Sequence, residues 1–322
     1  MENEVAEMLK PVRHDWVLVD CTVGYGGHSA ALTTAFDGSD VLIGIDRDAR
    51  ALDWCRERFR DAPFRRHWFH GGFEDLTTAL AEAGMESADA FFFDCGFSSP
   101  QVDEGERGFS FMREGPLDMR MDQRQSFSAY ELVNTWSAGE LADCFKRYGE
   151  ERFSRKIASG IVRQRQKSPI ETTQELADLV IQAIPAKNRR MEGIHPATRV
   201  FQAIRIAVND ELESLRTGLQ QALDHLRPGG RVGVLSYHSL EHRIVKEAFH
   251  RFCGHVALPV WAPTVPEELK PKGSIVTRKA ITPCAAEQSV NPRCRSAQLR
   301  VVEKEMTSEN PGDHGAPRRI AY

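Results

Sequence analysis

Short apolar runs alternate with helix-like segments in the first third of the chain. The runs at 17–19, 41–46, 68–70 and 88–94 are rich in β-branched and aromatic residues and predict buried strands. Between them, apolar residues three and four apart predict helices at 29–36, 49–59 and 74–83. Strands that alternate with helices predict a parallel sheet with helices on both faces.

From about residue 104 the pattern changes, because loop-like sequence is followed by amphipathic helices with no intervening strand. Apolar spacing predicts helices at 138–148, 152–166 and 173–184, with Arg and Lys on the opposite face. We therefore predict an inserted helical domain at 104–200. Residues 1–103 and 201–322 are then expected to form the sheet domain.

The remaining chain resumes the alternating pattern. A helical pattern over 197–226 ends at Arg227-Pro-Gly-Gly230, which predicts a helix stop. A strand is predicted at 231–238 and a helix at 241–252. Two further runs, at 273–277 and 297–302, are interpreted as closing antiparallel strands of the same sheet.

The first predicted strand leads directly into a glycine-rich turn. Gly24, Gly26 and Gly27 permit positive φ angles and allow backbone N–H groups to approach a ligand closely. Asp46 ends the second strand 22 residues after Gly24, where a ribose-binding carboxylate is expected. The alternative is that the glycines only form a tight turn and that Asp46 caps the following helix.

The type of ligand follows from what the turn lacks. Ser29 stands where a dinucleotide fingerprint requires a third glycine, and no Walker lysine follows. Carboxylates at three strand ends, Asp20, Asp46 and Asp94, favour a cationic ligand without phosphate. S-adenosylmethionine fits, because it carries a sulfonium and an ammonium group and offers ribose hydroxyls. A competing interpretation is an NAD-dependent oxidoreductase, which would need the missing glycine.

One motif suggests a different chemistry. His238-Ser-Leu-Glu-His242 matches the H-x-x-E-H pattern of a class of zinc peptidases. Because His238 ends a predicted strand and Ser239 resembles a helix cap, the two imidazoles are not expected to share one helical face. We therefore expect no metal site, and interpret His242 as a solvated helix residue.

Composition indicates an ordinary globular protein. With 322 residues and 41% hydrophobic content, the chain can bury about three quarters of its unfolded surface. No apolar run approaches the roughly 20 residues of a membrane span, which predicts a cytoplasmic protein. Seven cysteines are scattered without a C-x-x-C pair, so we interpret most as reduced packing residues.

Charge is unevenly distributed along the chain. The net charge is −4, yet residues 151–210 hold 11 Lys and Arg against 6 Asp and Glu. Residues 270–322 hold 10 against 5, including Arg293, Arg295 and Arg300. Two basic regions suit a polyanionic partner such as RNA, and solvated helix faces are the alternative.

Nine motifs in order resemble the bacterial RsmH (MraW) family of 16S ribosomal RNA cytosine-N4 methyltransferases. They are Asp20-Cys-Thr-Val-Gly-Tyr-Gly-Gly-His28, Asp46-Arg-Asp48, Ser98-Ser-Pro-Gln101, Arg107-Gly-Phe-Ser-Phe111, Gly115-Pro-Leu-Asp-Met-Arg-Met-Asp122, Tyr148-Gly-Glu-Glu151, His195-Pro-Ala-Thr-Arg199, His238-Ser-Leu-Glu241 and Asn291-Pro-Arg-Cys-Arg-Ser-Ala297. Each motif alone is weak, but the ordered set spans nearly the whole chain.

The resemblance implies a class I (Rossmann-like) methyltransferase fold with an inserted α-helical domain. It implies S-adenosylmethionine as cofactor and a cytidine N4 in the decoding region of 16S rRNA, within the small ribosomal subunit, as target. The implied cofactor contacts are Gly26, Gly27, His28, Asp46, Phe73, Asp94 and Gln101. For Phe73, ordinary core packing is the alternative.

Candidate catalytic residues follow from the chemistry of the target. The cytosine amine is a poor nucleophile because its lone pair is delocalised into the ring, so nearby hydrogen-bond acceptors would help. We expect Ser98, Ser99 and Pro100, together with Asp94, to contact the base. His238 is a second candidate, with a structural histidine as its alternative. Competing functions are an amino methyltransferase acting on another RNA or on DNA, and a non-catalytic ribosome assembly factor.

Overall fold

The computed structural model describes residues 1–96, 104–188, 195–255 and 270–306. Its centre is a seven-stranded sheet with the strand order β3-β2-β1-β4-β5-β7-β6. The strands are β1 Val17–Asp20, β2 Val41–Asp46, β3 Arg65–His70, β4 Ala88–Asp94, β5 Leu226–Ser236, β6 Gly273–Ile275 and β7 Gln298–Lys304.

Strands β1 to β5 are parallel, and β7 lies antiparallel to both β5 and β6. The predicted parallel sheet and the two predicted closing strands are therefore confirmed, and the fold is Rossmann-like α/β. Chain order reverses between β1 and β4. Ligand crevices of open α/β sheets form at such a reversal, outside the carboxyl ends of the strands.

Twelve α-helices are present in the described residues. They are α1 Glu2–Leu9, α2 Gly27–Leu32, α3 Ala49–Arg58, α4 Leu76–Glu82, α5 Ala129–Thr135, α6 Ala138–Arg147, α7 Ser154–Arg165, α8 Thr173–Ala183, α9 Thr198–Asn209, α10 Glu211–Asp224, α11 Ser239–Phe252 and α12 Ala285–Val290. Among the described residues, no helix is long and apolar enough to cross a membrane.

The two faces of the sheet bury separate apolar cores because successive strand residues point to opposite sides. Phe91 and Phe93 of β4 face a core that contains residues of α4, α10 and α11. Phe92, between them, faces the other core with α1, α2 and α3. Burial on both faces explains why these strands are continuous apolar runs.

A third apolar cluster contains residues between Leu117 and Val208 and includes helices α5 to α9. Three of these helices begin with the S/T-x-x-E pattern, in which the cap side chain and a glutamate satisfy each other's backbone amides. Ser128 pairs in this way with Glu131, and Thr172 with Glu175. The separate cluster is compatible with a helical domain, although the division at 104–200 stays a prediction.

The single helix predicted over 197–226 is wrong. Asp210 has a φ of 47°, which separates α9 from α10. The predicted stop is also wrong, because Arg227-Pro-Gly-Gly230 lies inside β5. Gly229 has a φ of 74°, and the pairing of β4 with β5 shifts register there, which is how a strand accommodates Pro-Gly-Gly.

Helix α1 was not predicted. It has only eight residues and no side-chain cap, so its local signal is weak. Val5 and Leu9 are buried against the same core as α2 and α3. Tertiary packing, rather than intrinsic propensity, therefore accounts for this helix.

Candidate active site

The glycine-rich turn follows β1 at the carboxyl edge of the sheet. Gly24 and Gly26 have φ angles of 49° and 74°, a conformation that L side chains rarely adopt. A Cβ atom on Gly26 would lie 2.8 Å from the Phe59 ring. Gly27 begins α2 without a positive φ, and a Cβ there would lie 3.1 Å from the Glu2 carboxylate. The predicted need for positive φ is thus met at Gly24 and Gly26 and not at Gly27.

Asp20 stabilises the turn through hydrogen bonds to its buried carboxylate. Its carboxylate is 0% exposed and accepts hydrogen bonds from the Ser29 hydroxyl at 2.6 Å and the Thr22 amide at 3.1 Å. Burial raises the pKa of Asp20. Of the three strand-end carboxylates that favoured a cationic ligand, Asp20 is therefore buried beneath the turn, and only Asp46 and Asp94 line the cavity. Ser29, in the place of a third glycine, ties α2 to this buried carboxylate.

Asp46 connects the ends of β1 and β2. It accepts one hydrogen bond from the Gly24 amide at 2.8 Å and another from the Asp48 amide at 2.8 Å. Burial raises the pKa of Asp46 to about 6. Because each carboxylate oxygen has two acceptor sites, Asp46 fixes the turn and can still accept ligand hydroxyls.

Asp94 and His28 meet between the ends of β4 and β1. The His28 Nδ1 atom lies 3.5 Å from Asp94 Oδ2, and its ring packs on Phe92 with a centroid separation of 4.9 Å. The Asp94 amide donates to the Thr22 hydroxyl at 2.7 Å. These contacts place both predicted cofactor residues at the crevice where the chain order reverses.

Tyr237 is a neighbour of Asp94 that sequence reasoning missed. It lies at the end of β5, and a Cβ on Gly96 would be 3.0 Å from its ring. Burial and the nearby Asp94 carboxylate, to which it is hydrogen-bonded, raise the pKa of Tyr237. The phenol therefore stays protonated and can donate to Asp94.

Phe73 begins a 3₁₀ turn after β3 and lines the cavity. Its ring meets Phe93 edge-on, with centroids 5.6 Å apart. A Cβ on Gly218 of α10 would lie 2.5 Å from the Phe73 Cβ. Phe73 thus packs on the core, as its alternative interpretation held, and also presents a surface to the cavity.

His238 caps helix α11. Its Nδ1 lies 3.4 Å from the Glu241 amide, and its Nε2 lies 3.0 Å from Glu241 Oε1. Glu241 in turn accepts a hydrogen bond from the Tyr237 amide at 2.7 Å.

His242 does not share this arrangement. The prediction that it is a solvated helix residue is wrong, because it is half-buried and its Nδ1 lies 2.7 Å from the Ser236 hydroxyl. Burial lowers the pKa of His242. Among the described residues, no three His, Cys, Asp or Glu side chains are grouped as a metal site.

Four predicted site residues, Ser98, Ser99, Pro100 and Gln101, lie outside the described residues. Their roles stay predictions. The chain that leads to them leaves the end of β4 through Cys95 and Gly96, which both line the cavity.

A single cavity of about 1500 Å³ joins these groups. Small-molecule sites usually measure about 300 to 1000 Å³, so this cavity can hold a cofactor and a part of a second molecule. One wall is the sheet edge, with Gly27, His28, Asp46, Phe73, Asp94 and His238 among its residues. A second wall contains Phe109, Phe111 and Met121 of the helical segment, together with Phe201 and Gln202 of helix α9.

Sequence reasoning did not place this second wall, or the contribution of α1. Glu2 and Asn3 of α1 line the cavity, as do Tyr25 and Trp54 near the glycine turn. Phe109 and Phe111 belong to a motif that carried the family resemblance, and that motif was the available signal. Their approach to the sheet edge depends on long-range packing.

The sheet-edge residues fit S-adenosylmethionine. Asp46 and Asp94 present half-buried carboxylates that can accept from hydroxyl and ammonium groups. The cofactor's methionine end requires such acceptors, and its ribose requires a carboxylate at the end of β2.

Comparison with known proteins gives one family. The model of the MraW methylase family matches residues 1–305. Among solved structures, a protein from Clostridium thermocellum assigned as an rRNA methylase is 12% identical over 94% of each chain, with a TM-score of 0.43. An rRNA methylase from Streptococcus thermophilus is 12% identical over 95% of this chain and 94% of its own, with a TM-score of 0.40. At these TM-scores the solved structures add nothing to the family match.

Proposed function

Because the chain belongs to the MraW methylase family, we propose that it transfers a methyl group to the N4 amine of a cytidine in the decoding region of 16S ribosomal RNA. Its cofactor is S-adenosylmethionine. We place the reaction in the cytoplasm, with the small ribosomal subunit as partner. The observation that carries the proposal is the two-walled cavity, whose volume of about 1500 Å³ exceeds the roughly 300 to 1000 Å³ that is usual for a site holding one small molecule.

The sheet-edge wall is the proposed cofactor site. Gly26 and Gly27 allow close approach of the turn, Asp46 accepts the ribose hydroxyls, and Phe73 packs on the adenosine part. His28 and Asp94 lie at the other end of this wall, 3.5 Å apart. Gln101 is proposed from the family resemblance alone. When bound, S-adenosylmethionine supplies a methyl group activated by its sulfonium charge.

Asp94 is proposed to contact both cofactor and target. Its carboxylate can accept a hydrogen bond from the cytosine amine, and this hydrogen bond would increase the electron density on N4. The same carboxylate would receive the proton that N4 loses on methylation. The protonated Tyr237 hydroxyl and the nearby His28 ring fix the orientation of that carboxylate. Ser98, Ser99 and Pro100 are proposed to complete the contact with the base.

His238 is proposed as a positioning residue rather than a proton acceptor. Its Nδ1 accepts a hydrogen bond from the Glu241 amide, its Nε2 lies 3.0 Å from Glu241 Oε1, and that glutamate also accepts from the Tyr237 amide. His238 therefore fixes the start of α11 and, through Glu241, the residue that contacts Asp94. Catalysis here depends mainly on positioning, which can supply roughly 7 to 11 kcal/mol of a reaction barrier.

The helical segment at 104–200 is the proposed RNA-binding domain. Its helix α7 and the adjoining loops expose several cations, namely Arg152, Arg155, Lys156, Arg163 and Lys167. Arg293 and Arg295 are exposed in the C-terminal region, and Arg293 lines the cavity. Cations that contact phosphates release counterions, so binding should weaken as salt is added.

The test is to supply methyl-labelled S-adenosylmethionine with 30S subunits, free 16S RNA or DNA, and to identify the product nucleoside by mass spectrometry. We expect N4-methylcytidine in 16S RNA, at one site in the decoding region. Label on DNA or on another RNA would favour an amino methyltransferase with a different substrate. Binding to 30S subunits without transfer would favour an assembly factor.

A further inference from the structure

An aromatic pair lies at the rim of the cavity. Tyr25, in the glycine turn, and Trp54, on α3, have ring centroids 5.7 Å apart and are tilted by 59°. Trp54 lines the cavity, and 57% of its surface is exposed to solvent. Because Trp54 is paired with Tyr25 and lines the cavity, the pair presents an accessible aromatic surface at the place where a second molecule would enter.

Two guanidinium groups flank the indole. Arg50, Trp54 and Arg58 are spaced by four residues on α3, which places them on the same face of the helix. Arg50 is exposed and pairs with Glu104 at 2.9 Å. Arg58 is exposed and donates to the Tyr25 carbonyl at 3.1 Å, so it also lies beside the aromatic pair.

The surroundings of the pair do not suit a protein partner. Specific protein interfaces bury about 800 Å² on each partner around a core depleted of charged residues. Here the neighbours of Trp54 on the helix surface are charged and exposed: Arg50, Asp53, Arg56, Glu57 and Arg58. Asp53 and Glu57 are paired with Arg56 and Arg60, whereas Arg50 and Arg58 lie one helical turn on either side of the indole. An aromatic surface between two such cations is typical of sites that bind single-stranded nucleic acid, where bases stack on rings and cations contact phosphates.

We propose that Tyr25 and Trp54 form a stacking platform for an unpaired RNA base that neighbours the methylated cytidine. The proposal rests on the proposed function, because a target base must leave its stack to enter the cavity. The RNA bases on either side of the target cytidine then lose a stacking partner at the rim of the cavity. The Tyr25–Trp54 platform takes the place of the lost base, and Arg50 and Arg58 contact the adjoining phosphates.

The first test measures RNA and cofactor affinity separately. Trp54→Ala and Trp54→Leu are compared with Trp54→Phe, using a fluorescein-labelled 12-nucleotide RNA that contains one cytidine among uridines, with S-adenosylhomocysteine present. The loss of one stacked base weakens binding by about 5- to 150-fold. We expect a weakening in that range for Ala and Leu, and no more than about threefold for Phe, which keeps an aromatic ring. Cofactor affinity, measured by calorimetry, should stay within about twofold of the wild type.

The second test assigns the effect to a base. The same RNA is prepared with an abasic nucleotide at each position next to the cytidine. At one of these positions the wild type should lose affinity while Trp54→Ala loses no more, which identifies the base that stacks on Trp54. Additive losses at every position would overturn the proposal.

The remaining outcomes are distinct. Wild-type affinity in Trp54→Leu would show that apolar bulk suffices and that no base stacks there. A parallel loss of cofactor affinity would make Trp54 part of the cofactor site, which also overturns the proposal. If the wild-type protein binds no RNA and methylates none, the proposed function itself fails. If it methylates RNA and Trp54→Ala does so equally well at low RNA concentration, only the platform fails.

Discussion

The two walls of the cavity are held in place by different interactions. At the sheet edge, Asp20 accepts hydrogen bonds from the Thr22 amide and the Ser29 hydroxyl. Asp46 accepts hydrogen bonds from the Gly24 and Asp48 amides. The helical segment is attached through a buried guanidinium group. Arg107 is 4% exposed, and its Nη1 donates to Asp48 Oδ2 at 2.7 Å.

Arg107 connects the helical segment to the cofactor side. Its Nη2 atom donates to the Arg120 carbonyl at 3.0 Å, while Asp48 donates its amide to Asp46. A second attachment lies at the break between α9 and α10, where the Asn209 side chain donates to the Met119 carbonyl at 2.8 Å. The Arg47 guanidinium donates to the Asn209 carbonyl.

This difference shows that the sheet edge and the helical segment are held by separate sets of contacts. The turn is fixed by its own backbone conformation and by carboxylates at the ends of β1 and β2, so it should survive changes in the helical segment. The second wall depends on the buried ion pair of Arg107 and Asp48, and the loss of one member leaves the other unpaired.

The largest expected effect follows from removing the buried guanidinium. Arg107→Met leaves the Asp48 carboxylate without its charged partner, which typically costs about 3 to 5 kcal/mol. Denaturant unfolding should show a decrease in the free energy of unfolding of that size. Arg56→Met is the control, because Arg56 and Asp53 form an exposed pair on α3, and such pairs contribute under about 1 kcal/mol. Equal small effects in both variants would contradict the proposed attachment.

A substitution in the turn should affect binding more than folding. Gly26→Val combines a φ of 74° with a clash against Phe59, and we expect cofactor affinity to fall at least about a hundredfold, which corresponds to 2.7 kcal/mol. Gly84→Val is matched to it, because Gly84 has a φ of 71° and open space around it. That control should lose about 1 to 3 kcal/mol of stability and retain cofactor binding. Unchanged affinity in Gly26→Val, measured by calorimetry, would overturn the assignment of the turn.

Cofactor affinity should depend on pH through Asp46. Burial raises the pKa of this carboxyl to about 6, so the charged acceptor is present above that pH and is lost as the pH falls through it. The association constant should be level above about pH 7 and fall roughly tenfold per pH unit well below 6. Asp46→Asn should bind weakly at every pH, without this slope. A slope that persists in Asp46→Asn would assign the titration to another group.

The smallest expected effect concerns His238. If the ring acts as a helix cap, His238→Ala should cost about 0.5 to 2 kcal/mol of stability, and His238→Asn less, because Asn is a good cap. Methylation by the Asn variant should then stay within about threefold of the wild type. A rate loss of a hundredfold or more in a stable Asn variant would instead make His238 the proton acceptor.

Sequence reasoning succeeded where the signal is local. The bounds of Val41–Asp46 and Ala88–Asp94 agree with the structure, because residues buried on both faces give unbroken apolar runs. It failed at two residues with left-handed backbone. Asp210 interrupts the single helix that the apolar pattern predicts, and Gly229 lies within β5, where the Pro-Gly-Gly sequence predicts a helix stop. The role of Asp20 was also misjudged, since its position at a strand end does not reveal that Ser29 covers it.

The sequence by itself determined the sheet, the glycine turn and the strand-end residues Asp46 and Asp94, because strand period and turn chemistry act between near neighbours. Only the tertiary structure decided which side chains complete the cavity. Phe111 and Trp54 belong to different parts of the chain, and Tyr237 meets Asp94 only because β4 and β5 are adjacent. Such contacts depend on how the helical segment and the closing strands pack, and no short-range pattern encodes that packing.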